Sequence, residues 1–471
     1  MKYIFKMIIF CCLLFGVLGM LSRITTPSLN LAEHRIEYKS SLYTISGIDD
    51  MPSDSLDVLF IGSSHIYSAV SPMELWNEYG IAGYDCTSSS QFPWTSYYYL
   101  KEALKRQTPK VVVVDMLGIF TGSEPDELSN RSALDYMPLS INKIKLSYVI
   151  WKHQKGGEDF FSYLLPVLRF HSRWNELNET DMVLKEPYDY TRGYDIRYGN
   201  ERHVDLTDAD YPFLTQKKTD NVGDYCVETA EYYKKMVELC NSKGIKLVFI
   251  KTPISGYSLE MGNAMKKVAD ECDADFIDFN NLEMWDKMGY DYNTDILDAA
   301  HLNYTGACKF TYLMGDILHN EYGLNGHQGE DNYAFWDDDY NIYCEQVKIN
   351  EITRTNTIDQ LYSSVMNENY KLIYSGDDSG NKDMLEKLSV KSKNNNIWTV
   401  VWDGKKLTRK YGDKVTGKLD DVPYVIDGSG IYIEGNNYAV NRTGINYVIY
   451  DDIIDKIIDR GCIDENGNIS R

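Results

Sequence analysis

The sequence predicts an α/β domain: a three-layer, mostly parallel sheet that carries a long helical insertion and is followed by a β-rich C-terminal domain. Three observations lead there. Short, continuous apolar runs recur with buried-strand character: LDVLFI over 56–61, KVVVVD over 110–115 and IKLVFI over 245–250. Segments of helical period alternate with them, which implies parallel strands joined by right-handed helical crossovers. Beyond residue 345 the texture becomes polar–apolar alternation broken by DG, GSG and GNN turns.

Taken in order, the chain opens with Lys2 and Lys6, an uncharged run from Met7 to Leu21, and Arg23. This pattern predicts an N-terminal signal-anchor over 1–24, a single-pass transmembrane segment with the rest of the chain extracytoplasmic. No small-x-small cleavage site follows it, which favours a retained anchor over a cleaved signal peptide. A polar stalk over 25–55 leads to the α/β domain, 56–325. There Ser71-Pro72-Met73-Glu74 reads as a capping box with proline at the first helical position, and Gly80 stops that helix. A second strand near Ala82–Cys86 runs into TSSSQ, and a helix follows from about Ser96 to Arg106. The insertion, about 121–220, is rich in Trp, Tyr and His and includes YLLPVLRFHSRWNEL. The βα rhythm returns with a helix from Asp224 to Lys243 closed by Gly244, a strand Phe276–Phe279, and a last helix Thr305–Asn320 with Ala307, Phe310 and Ile317 on one face. The acidic, aromatic stretch 326–345 reads as a linker and 346–471 as the β-rich accessory domain. Trp398, Trp402 and Tyr432 in that domain read as exposed, so it serves either glycan or partner binding or a plain structural role.

Composition excludes some functions. With 48 basic and 70 acidic residues the net charge is −22, which argues against a nucleic-acid partner, since neutralising phosphates requires clustered Lys and Arg. Nine cysteines, without C-x-x-C or paired spacing, point to thiols and to neither a disulfide framework nor a zinc site. Phosphate-loop, dinucleotide-binding, zinc-peptidase and G-x-S-x-G motifs are all missing, so the sequence calls for no cofactor and no metal.

Two motifs carry chemistry. The first strand ends in Gly62-Ser63-Ser64-His65, which delivers a serine to the carboxyl edge of the sheet, where open α/β sheets bind ligands. A serine needs a base to become a nucleophile. Asp298-Ala299-Ala300-His301, just before the last helix, offers one. The three-residue offset lets a short turn carry both groups, so that the carboxylate fixes the imidazole and stabilises its cation. The bland alternative makes Asp298 a helix cap and His301 a surface residue. His65, beside Ser64, is the second choice of base. Arg169, His171 and Trp174 suit either a substrate cleft, which His65 could also line, or the packing of a helical lid.

The serine after the first strand and the Asp-x-x-His before the last helix resemble the first and last blocks of the SGNH/GDSL hydrolase superfamily, over about Leu56–Leu324. The resemblance implies a flavodoxin-like sheet, catalytic Ser64, Asp298 and His301, and an acyl-Ser64 intermediate. It also implies an oxyanion hole made by the backbone N–H groups of Ser64 and of Thr87 or Ser88. The GSS opening, anchor and insertion are similar to those of bacterial surface proteins that O-acetylate polysaccharides or assist D-alanine transfer. The implied partners are an acyl donor, a cell-surface glycan and a membrane-bound O-acyltransferase. The middle blocks depart from the family: Tyr84-Asp85-Cys86-Thr87 stands where a glycine is usual, and Val114-Asp115-Met116-Leu117 where G-x-N-D is common. No asparagine is therefore evident as a third oxyanion donor, and a non-catalytic scaffold that keeps the fold is the alternative. Whether the outcome is hydrolysis or transfer stays open.

Overall fold

The computed structural model describes residues 2–26, 45–122, 127–154, 159–177, 179–182, 189–198, 206–366, 370–377, 381–391, 397–419, 422–428, 430–441, 443–452 and 456–471. Most of the expected stalk, 27–44, and several stretches of the insertion lie outside these residues. The chain divides into two compact units, Met1–Tyr340 and Asn341–Arg471.

The first unit is built on a five-stranded parallel sheet: β1 (Val58–Gly62), β2 (Gly83–Thr87), β3 (Val111–Asp115), β4 (Lys246–Lys251) and β5 (Asp275–Asp278), in the order β2-β1-β3-β4-β5. Every residue of β1, β2 and β3 is buried, which is why β1 and β3 read as continuous apolar runs instead of alternating ones; β2 is buried too but carries Asp85 and Thr87. On one face Val58, Phe60, Val111, Val113, Val248 and Ile250 share a core with Phe310, Met314 and Ile317 of the helix Tyr304–Asn320. On the other, Phe249 meets Tyr233 of the helix Val227–Ser242 at 5.6 Å between ring centroids. Three layers result. The chain leaves β1 for β2 on one side and returns to β3 on the other, so the topological switch point, where such sheets bind ligands, lies at the carboxyl ends of β1 and β3.

Local signals fixed the first helix after β1. Ser71 caps Pro72–Tyr79 by accepting from the Glu74 amide, and Gly80 ends it in the left-handed conformation at φ 64°. Glu74 then accepts from the hydroxyls of Tyr304 (3.1 Å) and Tyr312 (3.0 Å), tying this helix to the last one. The next helix begins at Pro93, three residues earlier than Ser96, because the proline occupies its first turn.

The stretch 326–345, expected as a linker, holds the boundary between the two units, and much of it is helical, within Ala334–Thr353. Its aromatic and acidic residues have tertiary partners. Trp336 is fully buried and stacks on Trp76, whose indole N–H donates to Asp337 at 2.9 Å, while Asp339 pairs with the buried Arg192.

The N-terminal helix spans Lys2–Thr25; within Tyr3–Thr25 an 18-residue window has mean hydropathy 2.5 and is unburied, so the helix is long and apolar enough to cross a membrane, while Ser22 and Thr25 near its end are buried.

The second unit is antiparallel. A six-stranded sheet runs Ile469–Ser470, Lys456–Ile463, Ile445–Asp451, Tyr370–Gly376, Trp398–Trp402, Leu407–Tyr411, and a four-stranded sheet is centred on Val422–Asp427. Ile373, Val401, Val448 and Tyr450 pack against Val415, Ile426 and Ile433 of the smaller sheet, and the opposite face is covered by Leu361, Val365 and Met384. Trp398 lies in this second core, 1 % exposed, and donates to the Asp377 carbonyl at 3.0 Å. The expectation of an exposed aromatic there is overturned, and Trp402 and Tyr432 are half-buried.

Candidate functional site

Ser64 opens a single helical turn, Ser64–Tyr67, directly off β1, with Ser63 as the extended residue before it (φ −94°, ψ −156°). Gly62 makes this turn possible. A Cβ there would lie 2.6 Å from Ile66 Cγ1 and 3.1 Å from Asp115 Cβ, so only glycine lets the turn press against the end of β3. The Ser64 amide belongs to the first turn of a helix, whose N–H groups lack intrahelical acceptors. Thr87, the last residue of β2, is in register with Gly62. Thr87 and Ser88 are buried, and Ser88 is held by Gln91 (2.9 Å), itself bonded to Ser96 (3.0 Å). The expected oxyanion amides thus sit on two neighbouring strand ends.

The Asp298–His301 segment is a loop closed by the bridge Ile296↔Leu302 and by the Leu297 amide donating to the His301 carbonyl at 2.9 Å. Asp298 Oδ1 accepts from the amides of Ala300 (2.8 Å) and His301 (3.0 Å). Ser255, in the loop after β4, donates its amide (3.1 Å) and hydroxyl (2.7 Å) to the Ala299 carbonyl. The cap of the following helix is Asn303, which accepts from Gly306 at 3.1 Å, so Asp298 does not serve as that cap.

The two motifs, 237 positions apart, meet. His301 Nε2 lies 2.8 Å from Ser64 Oγ, and His301 Nδ1 lies 2.9 and 3.1 Å from the Asp298 carboxylate oxygens. With Nδ1–H donated to the carboxylate, Nε2 is the lone-pair nitrogen facing the serine hydroxyl. The Asp298 side chain is 6 % exposed and that of His301 17 %, so the relay is shielded at its acid end and accessible toward the serine. No protein-family model matches the sequence, and no curated protein matches it. A solved structure from Bacteroides fragilis, described as a "putative acylhydrolase", matches at 13% identity over 63% of this chain and 99% of its own, with a TM-score of 0.27, below the level of a shared fold.

Other expectations fare differently. His65 is buried and does not line an open cleft: its ring packs 5.3 Å from that of His301, tilted by 30°, and its Nδ1 has no hydrogen-bond partner among the described residues. Burial, aided by the nearby Lys251 and His301 charges, holds its pKa well below the usual imidazole range. Arg169, His171 and Trp174 are not brought to Ser64 by any contact among the described residues. Arg169 pairs with Asp135 at 3.1 Å, His171 bonds to the Leu168 carbonyl, and Trp174 is exposed in a segment that packs on the N-terminal helix.

At the end of β3, Asp115 Oδ2 is paired with Lys251 Nζ of β4 at 3.0 Å. The two side chains are 2 % and 0 % exposed, and Lys251 also donates to Thr252 (2.9 Å) while Asp115 accepts from the Leu117 amide (2.9 Å). Burial lowers the Lys251 pKa, with Asp115 opposing it.

Three residues near the serine were not singled out in the sequence. Tyr67 stands three positions after Ser64, on the same face of the turn, and its hydroxyl interacts with the Ser89 and Ser64 side chains. Burial raises the pKa of that hydroxyl above its ordinary value. Arg197 lies over the Tyr67 ring at 5.3 Å and donates twice to Asp195 (2.9 and 2.8 Å), while the Asp195 amide donates to the Tyr67 carbonyl at 2.8 Å. The i,i+3 spacing could have flagged Tyr67. Nothing local flags Asp195 or Arg197. Among the described residues no group of three or more His, Cys, Asp or Glu side chains is arranged to hold a metal ion.

Proposed function

We propose that this protein is an acyl-ester enzyme with Ser64 as nucleophile. One observation carries the reading: the unbroken hydrogen-bonded relay from Ser64 through His301 to Asp298 at the switch point of the sheet. His301 Nε2 takes the serine proton as Oγ attacks the acyl carbonyl. Asp298 stays ionised and stabilises the imidazolium. The amides of Ser64 and of Thr87 or Ser88 receive the oxyanion, and Nε2 then returns the proton to the leaving oxygen as acyl-Ser64 forms. A second hydroxyl compound repeats the sequence in reverse: water gives hydrolysis, a sugar hydroxyl gives transfer.

On the finer points we favour O-acetyl transfer to, or removal from, a cell-envelope polysaccharide. The support is the resemblance at Gly62-Ser63-Ser64 and Asp298-x-x-His301 together with an N-terminal helix suited to a single-pass anchor that leaves the enzyme unit outside the membrane. The acyl donor would come from a membrane-bound O-acyltransferase or a free ester.

A fluorophosphonate probe tests the core of this reading. The wild-type chain should label, Ser64→Ala should lose the label, and Ser63→Ala should keep it. A folded wild-type protein that fails to label would favour the non-catalytic scaffold. With an acetyl-ester donor and a glycan oligomer present, acetylated glycan supports transfer, and free acetate alone supports hydrolysis.

A further inference from the structure

The helix Ile141–His153 in the insertion has two apolar faces. Leu146, Ser147 and Ile150 are buried, and the helix packs against Pro93–Ala103. The other face presents Ile141, Ile144, Tyr148 and Trp151, at helical spacing, with exposures of 69, 44, 54 and 45 %. Lys145 and Lys152 are exposed beside them. An apolar stripe of this size on water is costly for a soluble domain and marks an interaction surface.

Three further observations say what covers it. First, charge: between Asp135 and Glu158 the sequence has no acidic residue, and Lys145 and Lys152 are exposed on the helix, in a chain of net charge −22. Second, composition: Trp and Tyr with flanking lysines are the residues that settle at a membrane–water boundary, rings inward and ammonium groups at the phosphates. Third, continuity: this part of the insertion is built onto the outer end of the N-terminal helix. Val167 donates to Ser22 Oγ at 3.2 Å and Arg173 to the Thr25 carbonyl at 2.6 Å. Gly19, Ser22 and Arg23 share a cavity of about 320 Å³ with Leu139, Lys143 and Pro166. The start of the striped helix therefore lies at the level where the apolar segment ends.

We propose that the Ile141/Ile144/Tyr148/Trp151 face docks on the surface of the bilayer that the N-terminal helix crosses, with Lys145 and Lys152 on anionic phospholipid headgroups. The proposal rests on the membrane-anchor part of the proposed function and is independent of the serine chemistry. Docking gives the first unit a second hold on the membrane and fixes which way the Ser64 rim faces relative to it.

The test uses the full-length chain in nanodiscs of phosphatidylcholine with about 30 mol% phosphatidylglycerol and a diazirine-bearing acyl chain, with adducts mapped by mass spectrometry. Two sets of adducts are expected, one in Tyr3–Leu21 and one in Ile141–Lys152. The second set should fall about tenfold in I144E/Y148E/W151E, and severalfold without phosphatidylglycerol, while the first set is unchanged. These side chains are exposed, so the variant should keep its thermal midpoint, and Y148A/W151A provides a milder check on the same adducts. Adducts confined to Tyr3–Leu21 would overturn docking while leaving the anchor intact. Protein–protein cross-links at the stripe in place of lipid adducts would likewise overturn docking, and no adducts in Tyr3–Leu21 would overturn the anchor reading and docking with it.

Discussion

Two polar clusters share the carboxyl rim of the same sheet, and they differ in one respect that decides their uses. The Asp115–Lys251 pair, at the ends of β3 and β4, is sealed: both side chains are at most 2 % exposed and every short contact stays within the protein. The Ser64–His301–Asp298 relay, off β1, is graded, buried at the carboxylate and open toward the hydroxyl. A sealed ion pair serves the fold, and often serves it poorly, because desolvation offsets the attraction. A graded relay keeps one end available to a reactant while the other keeps its charge out of water. On the proposed function, the same kinds of atoms, a strand apart, become framework or machinery according to where the water stops.

Substitutions can break or sharpen this contrast. Ser64→Ala and His301→Ala should each lower ester turnover by about 10⁴–10⁶-fold, and Asp298→Asn by about 10³–10⁴-fold, with little change in thermal midpoint. A loss below tenfold in steady-state assays on a model ester would remove the relay from the mechanism. Lys251→Met should do the reverse, costing about 3–5 kcal/mol in denaturant unfolding by stranding a buried carboxylate. Asp115→Leu with Lys251→Met should recover most of that loss. If the single and double variants unfold alike, the pair is not the sealed unit described. Gly62→Ala stands between the two clusters: its methyl would press on Ile66 and Asp115, so it should cost about 1–3 kcal/mol and also lower turnover by moving Ser64. Unchanged turnover alongside lost stability would separate the turn from the site.

A pH-dependent effect concerns Asp85 on β2, whose two carboxylate oxygens are buried without hydrogen-bond partners among the described residues. Burial, then the neighbouring Asp189, pushes its pKa well above the ordinary 3.8. The folded state therefore holds a proton that the unfolded state releases above that value, so stability falls as pH rises from there toward the folded pKa. Asp85→Asn should remove this slope, gaining up to about 1.4 kcal/mol per pH unit over wild type within that window. Parallel pH–stability curves for the two proteins would contradict it.

What the sequence made legible was local. β1 and β3 announced themselves because both of their faces are covered, and the Ser71 cap and Gly80 stop lie within ten residues of each other. The Ser64 turn and the Asp298–His301 loop were readable because strand order and a three-residue offset constrain them. The Lys251–Asp115 pair spans 136 positions, and the Tyr67–Arg197 contact reaches from β1's turn into the insertion; no window of sequence contains either. The segment 326–345 looked like a linker because its acids and aromatics find their partners, Trp76 and Arg192, far upstream. Trp398 was misjudged for a related reason: alternation reveals that a strand has two unlike faces, but not that a second sheet and helices cover both.

His301 and Asp298 belong to one four-residue loop, clasped by its own amides and by Ser255, whereas Ser64 rides on a different element. The assembly therefore has a single seam, the 2.8 Å gap between His301 and Ser64. Warming or mild denaturant should part that seam while both halves stay folded, so that reactivity fades before the sheet melts and returns at once on cooling.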